Sequence, residues 1–121
     1  LSLVGSEMCI RDSYMEELTI SGLAGICFFS EYYFMRFFKK YMGMSCVQYI
    51  KNVRLERAAD QFENGETNTL EVALACGFSN LSYFHREFKK KYGMTPKRFI
   101  SLSARAADFH EIVNNYHFYD S

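Results

Sequence analysis

Much of what this 121-residue chain lacks narrows what it can be. It has a single proline and no glycine- and serine-rich run, which argues against a disordered segment or a long flexible linker. No apolar run approaches the ~20 residues of a membrane-spanning helix, and no basic-apolar-small order resembles a secretion signal. The four cysteines (Cys9, Cys27, Cys46, Cys76) have neither C-x-x-C spacing nor a histidine close by. They read as buried thiols in a reducing cytoplasm rather than as disulfides or a metal site. Paired carboxylates in context, a nucleophile-base set and metal-ligand spacing are all missing; His110, Glu111 and His117 do not make a persuasive set. The expectation is a protein that is no enzyme and holds no cofactor or metal.

Net charge is also missing, with 14 basic residues against 14 acidic. Its distribution is uneven. Windows 33–57 and 83–105 hold thirteen of the Lys and Arg against only Glu56 and Glu87, so they carry +5 and +6. Segments 1–32, 58–82 and 106–121 carry −4, −4 and −3. Local charge governs what a surface attracts, so a polyanionic partner is not excluded.

What is present is a repeat. Tyr33 to Ile50, YFMRFFKKYMGMSCVQYI, returns 50 residues later as Tyr83 to Ile100, YFHREFKKKYGMTPKRFI, with nine of eighteen positions identical. Repeats change a fold reading more than single residues do. One basic window alone reads as a solvated helix face; two at matching positions point to a shared job. With 49% apolar and 17% aromatic residues, the chain can fold as one domain or as two very small units sharing a core.

Residues 1–13, LSLVGSEMCIRDS, show no helical period and resemble a translated sequencing adapter, so they read as an artefactual or disordered leader without a role. Tyr14 to Glu17 then reads as the last turn of an incomplete first helix in a unit spanning 14–44. Thr19 can cap a short helix with Ile20, Leu23, Ala24 and Cys27 inward. Ser30 can cap the next, over about 31–41, with Phe34, Phe37 or Phe38 and Tyr41 inward and Gly43 as its left-handed stop. Ser45 can start a linker helix through 64 that buries Val47, Ile50, Val53, Leu55, Ala58, Ala59 and Phe62. A second unit, 65–103, repeats the design. There Thr69 caps a helix with Leu70, Ala73 and Leu74 inward, Gly77 turns, and Ser79 or Asn80 caps a helix over about 81–92. Gly93 stops it, and Pro96 opens a helix to about Ser103. The tail, 104–121, reads as a frayed helix followed by disorder. No strand pattern occurs, so the fold class is all-α.

A small helix, a tight turn and a capped second helix make the helix-turn-helix outline. Such a second helix enters a major groove by its N-terminal part and exposes side chains at i, i+1, i+4 and i+5. In the second unit Ala73 is the small contact, and Leu81, Ser82, His85 and Arg86 form the stripe. In the first, Ala24 is the small contact and Glu31, Tyr32, Met35 and Arg36 form the stripe. Its turn residue is Phe28, where a glycine is expected.

The run LTISGLAGICFFSEYYFMRFFKKYMGMSCVQYIKNVRLERAADQF, followed by LEVALACGFSNLSYFHREFKKKYGMTPKRFI, resembles the DNA-binding domain of the AraC/XylS family of bacterial transcription regulators. The most specific parts are GFSNLSYFHREFKKKYGMTP and RLERAA. The resemblance implies seven helices: two homeodomain-like helix-turn-helix units joined by a linker helix, reading major-groove segments about one DNA turn (~34 Å) apart. It places Tyr32, Met35, Arg36, Leu81, Ser82, His85 and Arg86 at bases. Arg36 and Arg86 suit guanine, although a repeated arginine can equally serve as a scaffold ion pair or phosphate clamp. Ser30, Lys39, Lys40, Asn80, Lys89 and Lys90 are the phosphate candidates, with solvated charge as the alternative for the lysines. Phe34, Phe38, Phe84, Phe88, Tyr49 and Phe99 match core positions.

The implied function is sequence-specific DNA binding in an activator that works in the bacterial cytoplasm at the nucleoid. Its implied partners are double-stranded DNA, RNA polymerase and an N-terminal effector or dimerisation domain. Two alternatives stay open. One is a helical protein-interaction module with basic faces. The other is the DNA-binding part of a DNA alkyl-repair regulator, which needs a reactive metal-bound cysteine cluster that these four cysteines do not supply.

Overall fold

A computed structural model describes residues 3–115 as seven α-helices, and among these residues there is no strand. In order they are α1 (Val4–Ser13), α2 (Ile20–Ile26), α3 (Glu31–Met42), α4 (Cys46–Glu63), α5 (Thr69–Ala75), α6 (Leu81–Tyr92) and α7 (Pro96–Asn115). His117 and the end of the tail lie outside the described residues.

The helix α4 is the spine. At about 1.5 Å per residue its 18 residues run roughly 27 Å. Its N-terminal half gives Cys46, Tyr49, Ile50 and Val53 to one core, and its C-terminal half gives Leu55, Ala58, Ala59 and Phe62 to another. Phe34 and Phe38 fill the first core; Phe84 and Phe88 fill the second, edge-on to Phe62 at 6.4 and 5.7 Å. All five of these rings are essentially inaccessible to water, and burying each contributes about 1.5–3 kcal/mol. Phe99 on α7 seals the second core, 5.4 Å from Phe88.

The helix starts and stops are chemically local. Thr19 and Ser30 accept from the N–H groups of Gly22 and Tyr33, and Ser45, Asn68 and Asn80 accept from those of Gln48, Glu71 and Tyr83. Each satisfies a donor that the helix itself leaves orphaned. The helices α3 and α6 both stop on a left-handed glycine, Gly43 at φ 78° and Gly93 at φ 74°.

Several expectations are corrected. The first is the leader, which is helical: Ser6 and Ile10 form the buried face of α1, and Ile10 packs into the first core with Leu3, the residue before the helix. A serine in the middle of that stripe hides its period, and its hydroxyl is satisfied by the Leu3 carbonyl at 2.8 Å. Residues 14–17 are not a helical turn, because α1 ends at Ser13. Asn68, not Thr69, caps α5, and the face that packs on the second core carries Val72 and Ala73, leaving Leu70 and Leu74 exposed. Of the two candidates for the α6 cap, Asn80 is the one used.

Tyr41 and Val47 are also exposed, on flanks that no neighbouring helix covers fully. Finally, α7 continues twelve residues past Ser103 to Asn115, so residues 104–115 extend that helix.

Candidate nucleic-acid interface

The two turns are built alike from the small helices onward. Ala24 and Ala73 are buried at 1% exposure, and their carbonyls accept from the N–H groups of Phe29 and Phe78 at 3.0 and 2.9 Å. A larger side chain at either alanine would force the helix pair apart. The left-handed residue of the first turn is Phe28 (φ 59°), that of the second Gly77 (φ 96°). Between helices the first turn uses residues 27–30 and the second 76–80, one residue more. The repeat therefore runs at an offset of 49 through the turn residue and of 50 from the helix caps onward.

Beyond the turns, the stripe residues stand at the surface. On α3, Tyr32 is 70% exposed, and Glu31, Met35 and Arg36 are exposed beside it. The Arg36 guanidinium donates to the Tyr32 hydroxyl at 3.0 Å and lies 5.5 Å over its ring. On α6, Leu81, Ser82, His85 and Arg86 are exposed. Arg86 sits 5.4 Å over the Tyr83 ring, with its Nε 3.8 Å from Glu87 Oε2. Each repeated arginine thus leans on an aromatic ring within its own helix, which limits the freedom it would lose on contacting a ligand.

The phosphate candidates divide. The Ser30 and Asn80 oxygens are engaged in capping, while free backbone N–H groups and the positive end of the helix dipole lie at the same positions. Lys39, Lys40 and Lys89 are exposed in the last turns of α3 and α6, where cations complement the dipole. Lys90 is held 3.4 Å from Glu87 Oε2, so part of its charge serves an ion pair within the scaffold.

Sequence reasoning assigned no job to the two acids that stand alone in the basic windows, and these turn out to fasten α6 to α4. Lys51 of α4 reaches Glu87 of α6 at 2.5 Å, and Lys91 of α6 reaches Glu56 of α4 at 3.7 Å. Glu87 is 5% exposed; its hydrogen bond from Lys51 holds its carboxyl below the usual range, against the opposing effect of burial. The signal was there to read: 50 residues earlier the same position is Phe37. An acid replacing an aromatic inside a basic helix marks a change of neighbour.

Among the described residues no cluster could hold a metal ion, and no helix is long and apolar enough to cross a membrane. Burial pushes the Cys46 and Cys76 thiols up to about 11, which suits packing and not chemistry.

Residues 23–101, well over half of the chain, match the helix-turn-helix domain family. The chain is 38% identical over 94 residues to the bifunctional transcriptional activator/DNA repair enzyme AdaA of Bacillus subtilis, spanning 78% of this chain and 44% of that protein. It is 32% identical to the probable transcription factor PqrA of Proteus vulgaris over 69% of each chain. The chain thus spans less than half the length of AdaA, and 39% of the LumQ regulator of Photobacterium leiognathi.

Among solved structures, it superposes on a probable AraC family transcriptional regulator from Rhodopseudomonas palustris with a TM-score of 0.77 at 27% identity, covering 84% of this chain and 95% of that one. The C-terminal domain of the response regulator yesN from Fusobacterium nucleatum gives 0.72 at 31% identity, covering 78% and 93%. With its two capped helix-turn-helix units on one spine helix, this chain belongs to the AraC-type helix-turn-helix family.

Proposed function

We propose that this chain is the sequence-specific DNA-binding domain of a bacterial transcription activator, acting in the cytoplasm at the nucleoid and performing no catalysis itself. In this reading α3 and α6 enter adjacent major-groove segments of double-stranded DNA. The observation that carries it is the pair of capped helices with an exposed arginine at the same place, Arg36 and Arg86. Tyr32, Met35 and Arg36 read one segment; Leu81, Ser82, His85 and Arg86 read the other. Arginine to guanine O6/N7 supplies direct readout, and Leu81 and Met35 suit apolar contact such as a thymine methyl. Ser30, Asn80, Lys39, Lys40 and Lys89 hold phosphates and fix the register, with Lys90 a weaker contributor because of Glu87.

The test is selection of a binding site from randomised duplexes, followed by affinity at several salt concentrations. Affinity for the selected site should fall steeply with salt as phosphate contacts release counterions. Arg86→Ala should cost about 1–3 kcal/mol at one base position, whereas Lys89→Ala should weaken every sequence alike. Equal affinity for selected and scrambled DNA would sink the proposal.

A protein partner is a second reading, and it does not exclude the first. It is favoured by the flank of α3, where Phe29, Tyr33, Phe37 and Tyr41 form a ladder with neighbouring ring centroids 4.9, 5.7 and 4.4 Å apart. RNA polymerase or an N-terminal effector domain would suit such a flank.

A further inference from the structure

Arg54 lies on the seam of the molecule, between Val53, the last residue of α4 in the first core, and Leu55, the first in the second. Its Nε donates to the Tyr14 carbonyl at 2.7 Å and its Nη2 to the Glu16 carbonyl at 2.8 Å. Both carbonyls belong to the segment that leads from α1 to α2, so they report the position of the first unit. Tyr14 itself packs against both cores and carries the Arg57 guanidinium 5.8 Å over its ring.

On the other side of Arg54 is the turn of the second unit. A Cβ on Gly77 would stand 2.8 Å from the Tyr14 carbonyl oxygen and 2.9 Å from Arg54 Nε, closer than real Cβ atoms come. The glycine is needed here twice over, for its φ of 96° and for this approach. Three segments that are far apart in the chain thus meet at one guanidinium. Arginine suits the place because its rigid fork can hold two carbonyls at once, which a lysine ammonium on a flexible stem does less well.

Resting on the DNA-reading function proposed above, we infer that Arg54, seated against Gly77, is a positioning residue that sets the spacing between the two half-sites the chain accepts. The spine helix fixes the rough distance between units, and two ion pairs fasten α6 to α4, but neither holds the α1–α2 segment of the first unit against the second. Arg54 ties the backbone of the first unit to α4 by two hydrogen bonds and packs against Gly77 of the turn that launches α6, and so limits the roll of one unit against the other. The tolerance is narrow, because one base pair moves a half-site by about 3.4 Å and rotates it by roughly 35°. Arg54 is on neither recognition helix, so its effect is on their relation and not on what either one reads.

The probe is the duplex selected in vitro by the wild-type chain, remade with one or two base pairs added to or removed from between its half-sites, together with duplexes in which one half-site is scrambled. The wild type should lose at least tenfold in affinity for a one-base-pair change. Arg54→Met should cut that penalty below threefold while staying within twofold of wild type on the single half-site duplexes. Arg54→Lys, which keeps a donor, should recover part of the penalty, and Gly77→Ala should shift the preferred spacing. A tenfold penalty retained in Arg54→Met overturns the inference. So does an equal loss on spaced and single half-sites, which would mark a general loss of structure. If Arg54→Met does not fold, Arg54→Lys and Gly77→Ala decide: an unaltered spacing profile in both overturns it. A wild-type chain that selects no sequence defeats the proposed function itself, whereas selection with an unaltered profile defeats this inference alone.

Discussion

Glu87→Gln keeps the shape of a side chain that is 5% exposed and removes its charge. Three cations face that carboxylate: Lys51 at 2.5 Å, Lys90 at 3.4 Å and Arg86 at 3.8 Å. A hydrogen bond to a charged group contributes about 1.5–3 kcal/mol, and the amide oxygen can still accept from Lys51. Lys90 and Arg86 are mostly in solvent, so their share is screened. The expected loss is therefore about 1–2 kcal/mol, or roughly 3–10 °C in Tm for a chain of this size. Lys51→Met should cost more, because it strips the closest partner from a buried charge, and Lys51→Met with Glu87→Gln together should recover part of that loss.

Urea unfolding followed by circular dichroism measures all four corners of the cycle. Titration gives a second check. The folded carboxyl is held below its ordinary range by the Lys51 hydrogen bond. Its contribution is thus complete above the unfolded value of about 4.3 and fades as pH falls through the lower folded value. The gap between wild type and Glu87→Gln should be constant from about pH 8 to 5 and should close on acidification below that. A gap that persists at low pH, or a Glu87→Gln protein as stable as wild type at pH 7, refutes the assignment of the bridge.

Three further expectations come from single sites. Phe28 holds a left-handed φ of 59° while 90% exposed, so Phe28→Gly should relieve strain with little packing to lose. The net gain should be about 0.5–1 kcal/mol after the greater freedom of glycine in the unfolded chain is set against it; a clear loss in urea unfolding would show that Phe28 is packed after all. Asn80→Ala should destabilise by about 1 kcal/mol through loss of the cap on the Tyr83 N–H, measured the same way; a neutral result would mean that the cap is replaceable. Finally, Cys46 and Cys76, with thiols pushed up to about 11, should resist alkylation at pH 8 in the folded chain and react on unfolding. Mass mapping showing either one modified as fast as in the unfolded chain would contradict their burial.

The readable part of the fold was whatever chemistry is local. Caps such as Ser30 and Ser45, stops such as Gly43 and Gly93, and the alternation of phenylalanine with lysine along α3 and α6 depend on neighbours within four residues. The exposure of the stripe residues followed from the same spacing. What escaped was decided across the chain. Ser6 is polar yet buried, because α1 lies against the first core and the hydroxyl finds the Leu3 carbonyl just before the helix. Val47 is apolar yet exposed, because the core takes Cys46, Tyr49 and Ile50 from the same turns of α4. In α5 two things were missed: Asn68 caps where Thr69 is as good a cap by type, and packing on the second core takes Val72 and Ala73 while leaving Leu70 and Leu74 outside. Arg54 and Glu87 were visible as letters, but their partners lie 38–40 and 36 residues away.

The extra residue in the second turn has a consequence for anyone treating the two halves as interchangeable readers. Copying Leu81, Ser82, His85 and Arg86 onto the matching positions of α3 transfers functional groups, but it leaves them launched from a turn one residue shorter, whose left-handed corner is a phenylalanine instead of a glycine. A chimera meant to move a base preference from one half to the other has to be cut upstream of the turn, at Ala24 and Ala73, so that the corner travels with its helix.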